Sequence, residues 1–448
     1  MRIQHCRFWA IAGTVLPAFS ALSRASVRMV WRKLLCWSLQ GLLWTGLWGV
    51  AHAQPRFYAL GTLPGNTDSV ANAVSDTAHV VGYCYDYSSP LVWRPFIWSP
   101  ETGMRALPLP GSAVSATANA VSGDGSVVAG QAVVDRGYAC YWDETGAYFV
   151  LDRPSMATGV SYDGRIIAGW GDINRVVPFV FDRVASRLEF LPEPQGSAGT
   201  NYVYCVSGDG RVLGGMAMMR NNYLYDPRFR GGLSARGHVW VDGVPQARAL
   251  SGGGFGSQVN ALSYDGTIAV GSADLRPIFS SVRQAVLWEG TAATVLGTLG
   301  GRNSNATGTD RYGRQVVGTS EVPDGGTRPF YWTPRLGMVS LQDRFSAIIP
   351  AGWTLFSAGG ISPNGRFIVG AGLNPQGRAE AWLIDTGGGY VAGDVNGNGC
   401  VDDADLLAVL FAFGNTGSGL DEDVNCDGTV DDADLLAVLF AFGEGCGG

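Results

Sequence analysis

The stretch Asn119-Ala-Val-Ser-Gly-Asp-Gly-Ser-Val-Val-Ala-Gly130 decides the architecture, because the chain repeats its pattern seven times. A small apolar phrase closes on Ser122, the pair Asp124-Gly125 follows, and an apolar run ends in glycine. Asp-Gly between two β-rich runs signals a hairpin, since its backbone tolerates the positive φ of a tight turn. Counterparts are Asn72-Ala-Val-Ser75 before Val80-Val-Gly82, Gly159-Val-Ser161 before Ile166-Ile-Ala-Gly169, Cys205-Val-Ser207 and Asn260-Ala-Leu-Ser263. Asn305-Ala-Thr-Gly308 and Gly360-Ile-Ser362 complete the set. The first and sixth copies lack the Asp-Gly pair, carrying Asp76-Thr-Ala78 and Asp310-Arg-Tyr-Gly313 instead.

An aromatic run follows each hairpin: Pro95-Phe-Ile-Trp98, Ala139-Cys-Tyr-Trp142, Pro178-Phe-Val-Phe181, His238-Val-Trp240, Ala285-Val-Leu-Trp288, Pro329-Phe-Tyr-Trp332 and Ala381-Trp-Leu383. A fourth short strand comes next, as at Met104-Arg-Ala-Leu107. Each unit is therefore four strands. With Gly308 standing in for the serine of the sixth copy, the units repeat at Ser75, Ser122, Ser161, Ser207, Ser263, Gly308 and Ser362. Steps of about 40–50 residues match the blade of a propeller. The expected fold is all-β, a seven-bladed β-propeller over residues 54–386, followed by a small α calcium-binding module of two loop-helix units. Phe57-Tyr-Ala-Leu60 is expected to close the ring as the last strand of a blade begun by residues 359–385. A solenoid or a pair of sandwiches built from the same hairpins is the alternative. Composition agrees with many short strands and tight turns: 65 glycines and only 15% charged residues.

The amino terminus reads as an export signal over residues 1–53. Trp31-Arg-Lys33 supply charge, Leu34 to Val50 an apolar stretch, and Ala51-His-Ala53 a peptidase site. Four further arginines precede Met29, which suggests that translation starts there. The alternative is an uncleaved anchor, although the apolar stretch is short for a span. After cleavage the protein is expected to be secreted, with no membrane contact. Six cysteines then remain. Cys84, Cys140 and Cys205 sit alone in strand-like segments and read as small buried hydrophobes. Cys400, Cys426 and Cys446 fall in the tail, where export permits a disulfide, and Cys400–Cys446 would join the two ends of the module.

No catalytic constellation is found. His79 and His238, the only histidines of the mature chain, both lie inside repeat phrases, so a His-based triad has no material. The recurring aspartates occupy turns, and Arg94, Arg136, Arg175, Arg228 and Arg230 follow no pattern that a propeller sialidase would need. No basic face suggests nucleic acid. One insertion, Met216 to Gly237, holds Asn221-Asn-Tyr-Leu-Tyr225 and Arg228-Phe-Arg230, a loop suited to a carbohydrate or a protein.

The tail carries the sharpest signal. After a glycine-rich linker, residues 387–392, the module spans residues 393–448. Twelve of the chain's 38 acidic residues lie from Val391 to Gly448, with no Lys or Arg, so the remainder is net positive. Asp394, Asn396, Asn398, Cys400, Asp402 and Asp405 stand at positions 1, 3, 5, 7, 9 and 12 of a calcium loop. Asp423, Asn425, Asp427, Thr429, Asp431 and Asp434 repeat the pattern. Gly399 and Gly428 supply the sharp turn at position 6, and Cys400 and Thr429 would each give a backbone carbonyl. Alternating oxygens around a turn are what a hard cation requires, so two Ca2+ ions are expected. Each loop runs into the same eleven-residue segment, Ala404 to Gly414 and Ala433 to Gly443, suited to a short helix stopped by glycine.

Two resemblances add to this reading. Leu60-Gly-Thr-Leu-Pro-Gly65, Asn72-Ala-Val-Ser75 and Pro95-Phe-Ile-Trp98 stand in the order seen in the extracellular repeat family named for its His-Ala-Phe (HAF) motif. That resemblance covers residues 57–385, with the family's histidine kept only at His238; it implies an extracellular bacterial protein and no particular activity. The duplicated loop-helix with Asp at position 12 resembles the type I dockerin module over residues 393–446. This implies calcium-dependent folding and docking onto a cohesin-like or cell-surface partner, commonly in polysaccharide degradation. The family's partner-recognition pair falls on Asp403-Ala404 and Asp432-Ala433, where a hydroxyl residue is common. The helices are also more apolar than the family's and lack its basic residues. The function expected is that of a non-catalytic interaction protein. The alternative is a dockerin-bearing propeller glycoside hydrolase or a carbohydrate-binding protein.

Overall fold

The computed structural model describes residues 54–220, 233–250, 256–275, 282–388, 393–395, 400–416, 420, 422–424 and 429–443. The expected export signal lies outside them. The described residues hold 28 strands and three short helices. Five sheets have four strands and one has eight, the last consisting of two four-strand stretches joined by a single parallel bridge, Val176 to Thr200. Within each unit the order is sequential and antiparallel, as in Asp68–Val74, Val80–Asp86, Ser89–Ser99 and Gly103–Ala106. One sheet draws on both ends of the region: Arg56–Ala59 pairs with Ala379–Asp385, Phe57 opposite Ile384.

The first strands of the units lie side by side. In order they are Asp68–Val74, Ser115–Val121, Ser155–Val160, Ser197–Val206, Ser257–Leu262, Ser304–Thr309 and Thr354–Ile361. Each touches the next, and the seventh touches the first. These inner strands share one irregularity, a one-residue bulge at Asn72, Asn119, Thr158, Tyr204, Asn260, Thr307 and Gly359. The extra residue pushes a carbonyl towards the second strand, and there the recurring glycine stands. A Cβ on Gly82 would lie 2.0 Å from the Val70 carbonyl oxygen, and Gly130, Gly169, Gly215, Gly271, Gly318 and Gly370 would meet the same obstacle at 1.9–2.1 Å. Glycine ends the apolar run because the bulge leaves no room for a side chain.

The hairpin turns are equally uniform. Ser122 is buried; its Oγ accepts from the Val127 amide (3.0 Å) and donates to Asp124 Oδ1 (2.6 Å), while Gly125 takes φ +82°. In the sixth unit Asp310, not Gly308, holds the serine's place: Oδ1 accepts from the Arg314 and Gln315 amides, and Asp310 N reaches the Gln315 carbonyl. The expected register was wrong by two residues there, because Asn305-Ala-Thr imitates the opening of the repeat phrase. Gly313 (φ +76°) takes the turn position in that unit, and Ala78 (φ 61°) takes it in the first.

The core lies between successive sheets. One cluster joins Val81 of the first unit to Ala116, Val128, Cys140 and Trp142 of the second; another joins Val270 and Ala285 to Ala306, Val316 and Phe330. The third strands supply the largest wholly buried side chains, including Phe96, Trp142, Phe179, Trp240, Trp288, Phe330 and Trp382. Three of these indoles donate to backbone carbonyls, Trp142 to Pro108, Trp240 to Pro192 and Trp288 to Ala249. Burial of the ring is thereby combined with satisfaction of its N–H.

Met216 to Arg220 and Leu233 to Gly237 continue one antiparallel ladder. The expected insertion is therefore a lengthened hairpin at its flanks, and its polar-aromatic tip lies outside the described residues. The module has its own core of Val395, Val401, Val409, Ala412, Val424, Val430, Val438 and Ala441. Its helices are Asp403–Ala412 and Asp432–Phe440, and Gly414 and Gly443 beyond them take φ +85° and +88°.

Candidate functional site

Two places gather polar chemistry. In the module, each helix begins with the same reciprocal cap. Asp402 Oδ1 accepts from the Ala404 amide (2.8 Å), and Asp405 Oδ2 accepts from the Asp402 amide (2.9 Å). Asp431 and Asp434 repeat both bonds at the same lengths. Asp405 also accepts from the Val395 amide through Oδ1 (2.8 Å), which folds the start of the loop over its end. Both position-12 carboxylates are wholly buried. An ionised carboxylate so placed needs neutralisation beyond neutral N–H donors, and the module contains no basic side chain to supply it.

The donor set fits calcium. It consists of carboxylates, amides and backbone carbonyls, the oxygen ligands a hard cation takes. Cys400 is disulfide-bonded, so it offers its carbonyl and no thiolate. Its partner lies outside the described residues, as do Cys426 and Cys446. Asn396, Asn398, Asn425 and Asp427 also lie outside, and among the described residues no three His, Cys, Asp or Glu side chains gather as a metal cluster. Asp403, Ala404, Asp432 and Ala433 are exposed. Beyond them both helices present the same apolar residues to solvent, with Phe411 86% and Phe440 85% exposed and Leu407, Leu410, Leu436 and Leu439 about half so.

The second place was not anticipated. Backbone bonds link the seven hairpin turns in a ring: Asp76 N to Gly123 O, Gly123 N to Tyr162 O, Tyr162 N to Gly208 O, Asp209 N to Tyr264 O, Tyr264 N to Arg311 O and Arg311 N to Pro363 O. Asn364 N donates to Asp76 Oδ1 (2.7 Å) and completes it. Across this ring Tyr162 donates to Asp76 Oδ2 (2.9 Å), and Arg311 reaches the same oxygen at 3.7 Å. The Arg311 guanidinium lies over the rings of Tyr162 and Tyr264, 5.3 and 5.5 Å from their centroids. Burial raises the Asp76 carboxyl and the Tyr162 phenol above their usual ranges. Each tyrosine lies across a glycine: a Cβ on Gly123 or Gly208 would come within 2.2 Å of a ring carbon of Tyr162 or Tyr264. The sequence carried one sign of it: the residue after the recurring serine, or after Asp310, ranges over Asp, Gly, Tyr, Arg and Pro.

The remaining candidates are structural. Cys84 and Cys140 are buried free thiols and Cys205 is half-buried; burial pushes all three up, Cys84 to about 11, so none is a ready nucleophile. His238 is buried and lowered by desolvation, with Nδ1 3.0 Å from the Arg236 carbonyl oxygen. His79 contacts the Thr77 hydroxyl at 2.9 Å. Arg175 is paired with Glu193 at 2.8 Å. Among the described residues no helix is long and apolar enough to cross a membrane.

No family model matches the chain, and no curated protein matches it. Solved structures do. It is similar to the β-propeller domain of the Trilobed protease from Pyrococcus furiosus at 12% identity and TM-score 0.49, covering 71% of this chain and 96% of that one. An oligogalacturonate lyase from Vibrio parahaemolyticus matches at 9% identity and TM-score 0.46, covering 74% and 97%. TolB from Acinetobacter baumannii matches at 13% and 0.39, covering 65% and 76%. At such identities none of them assigns a role to a residue of this chain.

Proposed function

We propose that the protein is a secreted, non-catalytic interaction protein, in which a seven-bladed propeller is docked by a dockerin-like module that binds two calcium ions. Four-stranded units, the ring of inner strands and the sheet shared by both ends of the region support the propeller. The duplicated acidic loops support the docking. Their equality is the observation that carries the reading: two wholly buried aspartates at position 12, held by matching caps, each followed by a helix that exposes the same leucines and phenylalanine. Calcium supplies the neutralising charge for the buried carboxylates, and the exposed apolar faces supply the contact for a cohesin-like or cell-surface partner.

Calorimetry on residues 54–448 tests the calcium step. Two ions are expected to bind, and a chain carrying both Asp405→Asn and Asp434→Asn to bind none. Absence of binding, or binding unaffected by the two changes, rejects the reading.

A further inference from the structure

The inner strands use their bulged residue in one way almost everywhere. Asn72, Asn119, Thr158, Asn260 and Thr307 each donate a side-chain hydrogen bond to a carbonyl of the next inner strand: Ala118, Ala157, Val203, Ala306 and Ala358. Gly359 lets the backbone approach directly, where a Cβ would lie 2.4 Å from the Ala71 carbonyl oxygen. The fourth unit alone places an aromatic ring at this position. Tyr204 lies parallel to Tyr202, with centroids 6.2 Å apart and planes 5° apart, and Trp170 of the third unit meets Tyr202 edge-on at 5.2 Å. All three are half-buried. A strand-locking contact has been replaced by an aromatic strip.

Polar groups continue the strip. The inner strand Ser257–Leu262, which carries Gln258, touches Ser197–Val206, and the Tyr204 phenol, raised by burial to about 12, is opposed in that rise by the charge of Arg283. Arg283 Nε donates to Asp274 Oδ1 (3.1 Å) and its Nη1 to Gln258 Oε1 (3.4 Å), and Gln258 donates in turn to Asn260 (3.1 Å). The guanidinium is thus matched by a carboxylate, and the row beyond it is made of amides. Aromatic faces suit the C–H faces of a pyranose, while amides and a compensated guanidinium suit its hydroxyls. A free anion would find no uncompensated cation in the strip.

We propose that Trp170, Tyr202 and Tyr204, with Arg283 and Gln258, form a binding site for a neutral oligosaccharide. The site owes nothing to calcium, so it stands or falls apart from the docking reading. Titrations of residues 54–448 with cellohexaose, laminarihexaose, mannohexaose and xylohexaose test it, with trigalacturonate as the anionic comparison, each in calcium and in EDTA. At least one neutral hexasaccharide is expected to bind with Kd below about 1 mM in both buffers. Tyr204→Asn restores the residue other units carry; it is expected to keep Tm while weakening binding about tenfold or more, as is Trp170→Ala. The proposal is overturned if no neutral probe binds, if only trigalacturonate binds, or if both variants bind as well as the parent chain.

Discussion

Gly271 stands opposite the bulge at Asn260, and a methyl there would lie 2.0 Å from the Gln258 carbonyl oxygen. Backbone cannot yield as a flexible side chain does, so Gly271→Ala is expected to cost at least about 3 kcal/mol, read from the urea midpoint. Asn260→Ala, which loses the side-chain bonds to Ala306, Asn305 and Gln258 but opens no clash, is expected to cost less, about 1–2 kcal/mol. The recurring glycine was legible in the sequence; its reason was not, because a bulge leaves no mark of its own. Asp310 was hidden for another cause, since a false copy of the phrase drew the register two residues upstream. Its burial raises the carboxyl to about 6, and among the described residues its Oδ2 has no hydrogen-bond partner. The native state therefore binds this proton more tightly than the unfolded chain. Stability should fall as pH rises from about 4 to about 6 and then level off, by up to about 3 kcal/mol for a shift of this size. Asp310→Ser restores the residue of the other six turns. It should remove that slope and raise stability above pH 6, which denaturant titrations at pH 4, 5, 6 and 7 would resolve.

At the level of the hairpin, the repeat demands a left-handed residue after the buried serine, and six units supply glycine. The first unit supplies Ala78 at φ 61°, where the Cβ is strained against its own backbone. Ala78→Gly relieves that strain but loses a buried methyl and adds freedom to the unfolded chain. Left-handed strain of about 1–2 kcal/mol is offset by those losses of about 1–2 kcal/mol, so the variant is expected to leave Tm nearly unchanged, read by thermal denaturation. Hairpins and aromatic third strands could be read directly because Asp-Gly and alternation are local signals. The turn ring could not, since its bonds join residues some 40–50 positions apart that share nothing but rank in the repeat. The module helices were legible as well. Duplication fixed their ends at Gly414 and Gly443, and the capping aspartates double as positions 9 and 12 of the calcium pattern.

Across the whole molecule, the β-region and the module meet through a charge. Arg314, two residues past the sixth turn's Tyr312, donates from Nη1 to the Val424 carbonyl oxygen at 2.7 Å. Val424 is position 2 of the second acidic loop, so a fixed cation of the β-region stands at that loop. The two loops, alike in their capping bonds, are thereby made unequal. If calcium binds as proposed, the guanidinium opposes a second positive charge nearby, and the opposition falls with ionic strength. Arg314→Gln removes the charge and, being two bonds shorter than the Nη1 donor, gives up the contact as well. In a chain whose first loop is silenced by Asp405→Asn, this change should tighten the remaining site about threefold at low salt and less at high salt. In a chain silenced at the second loop by Asp434→Asn, it should leave the remaining site unaltered. By reciprocity, calcium at the second loop must weaken the Arg314 contact by the same factor, so loading would loosen the module from the β-region as it completes the docking face. Equal shifts at both loops would mean that Arg314 acts only through the net charge of the chain, and the two loops would then be independent of their neighbour.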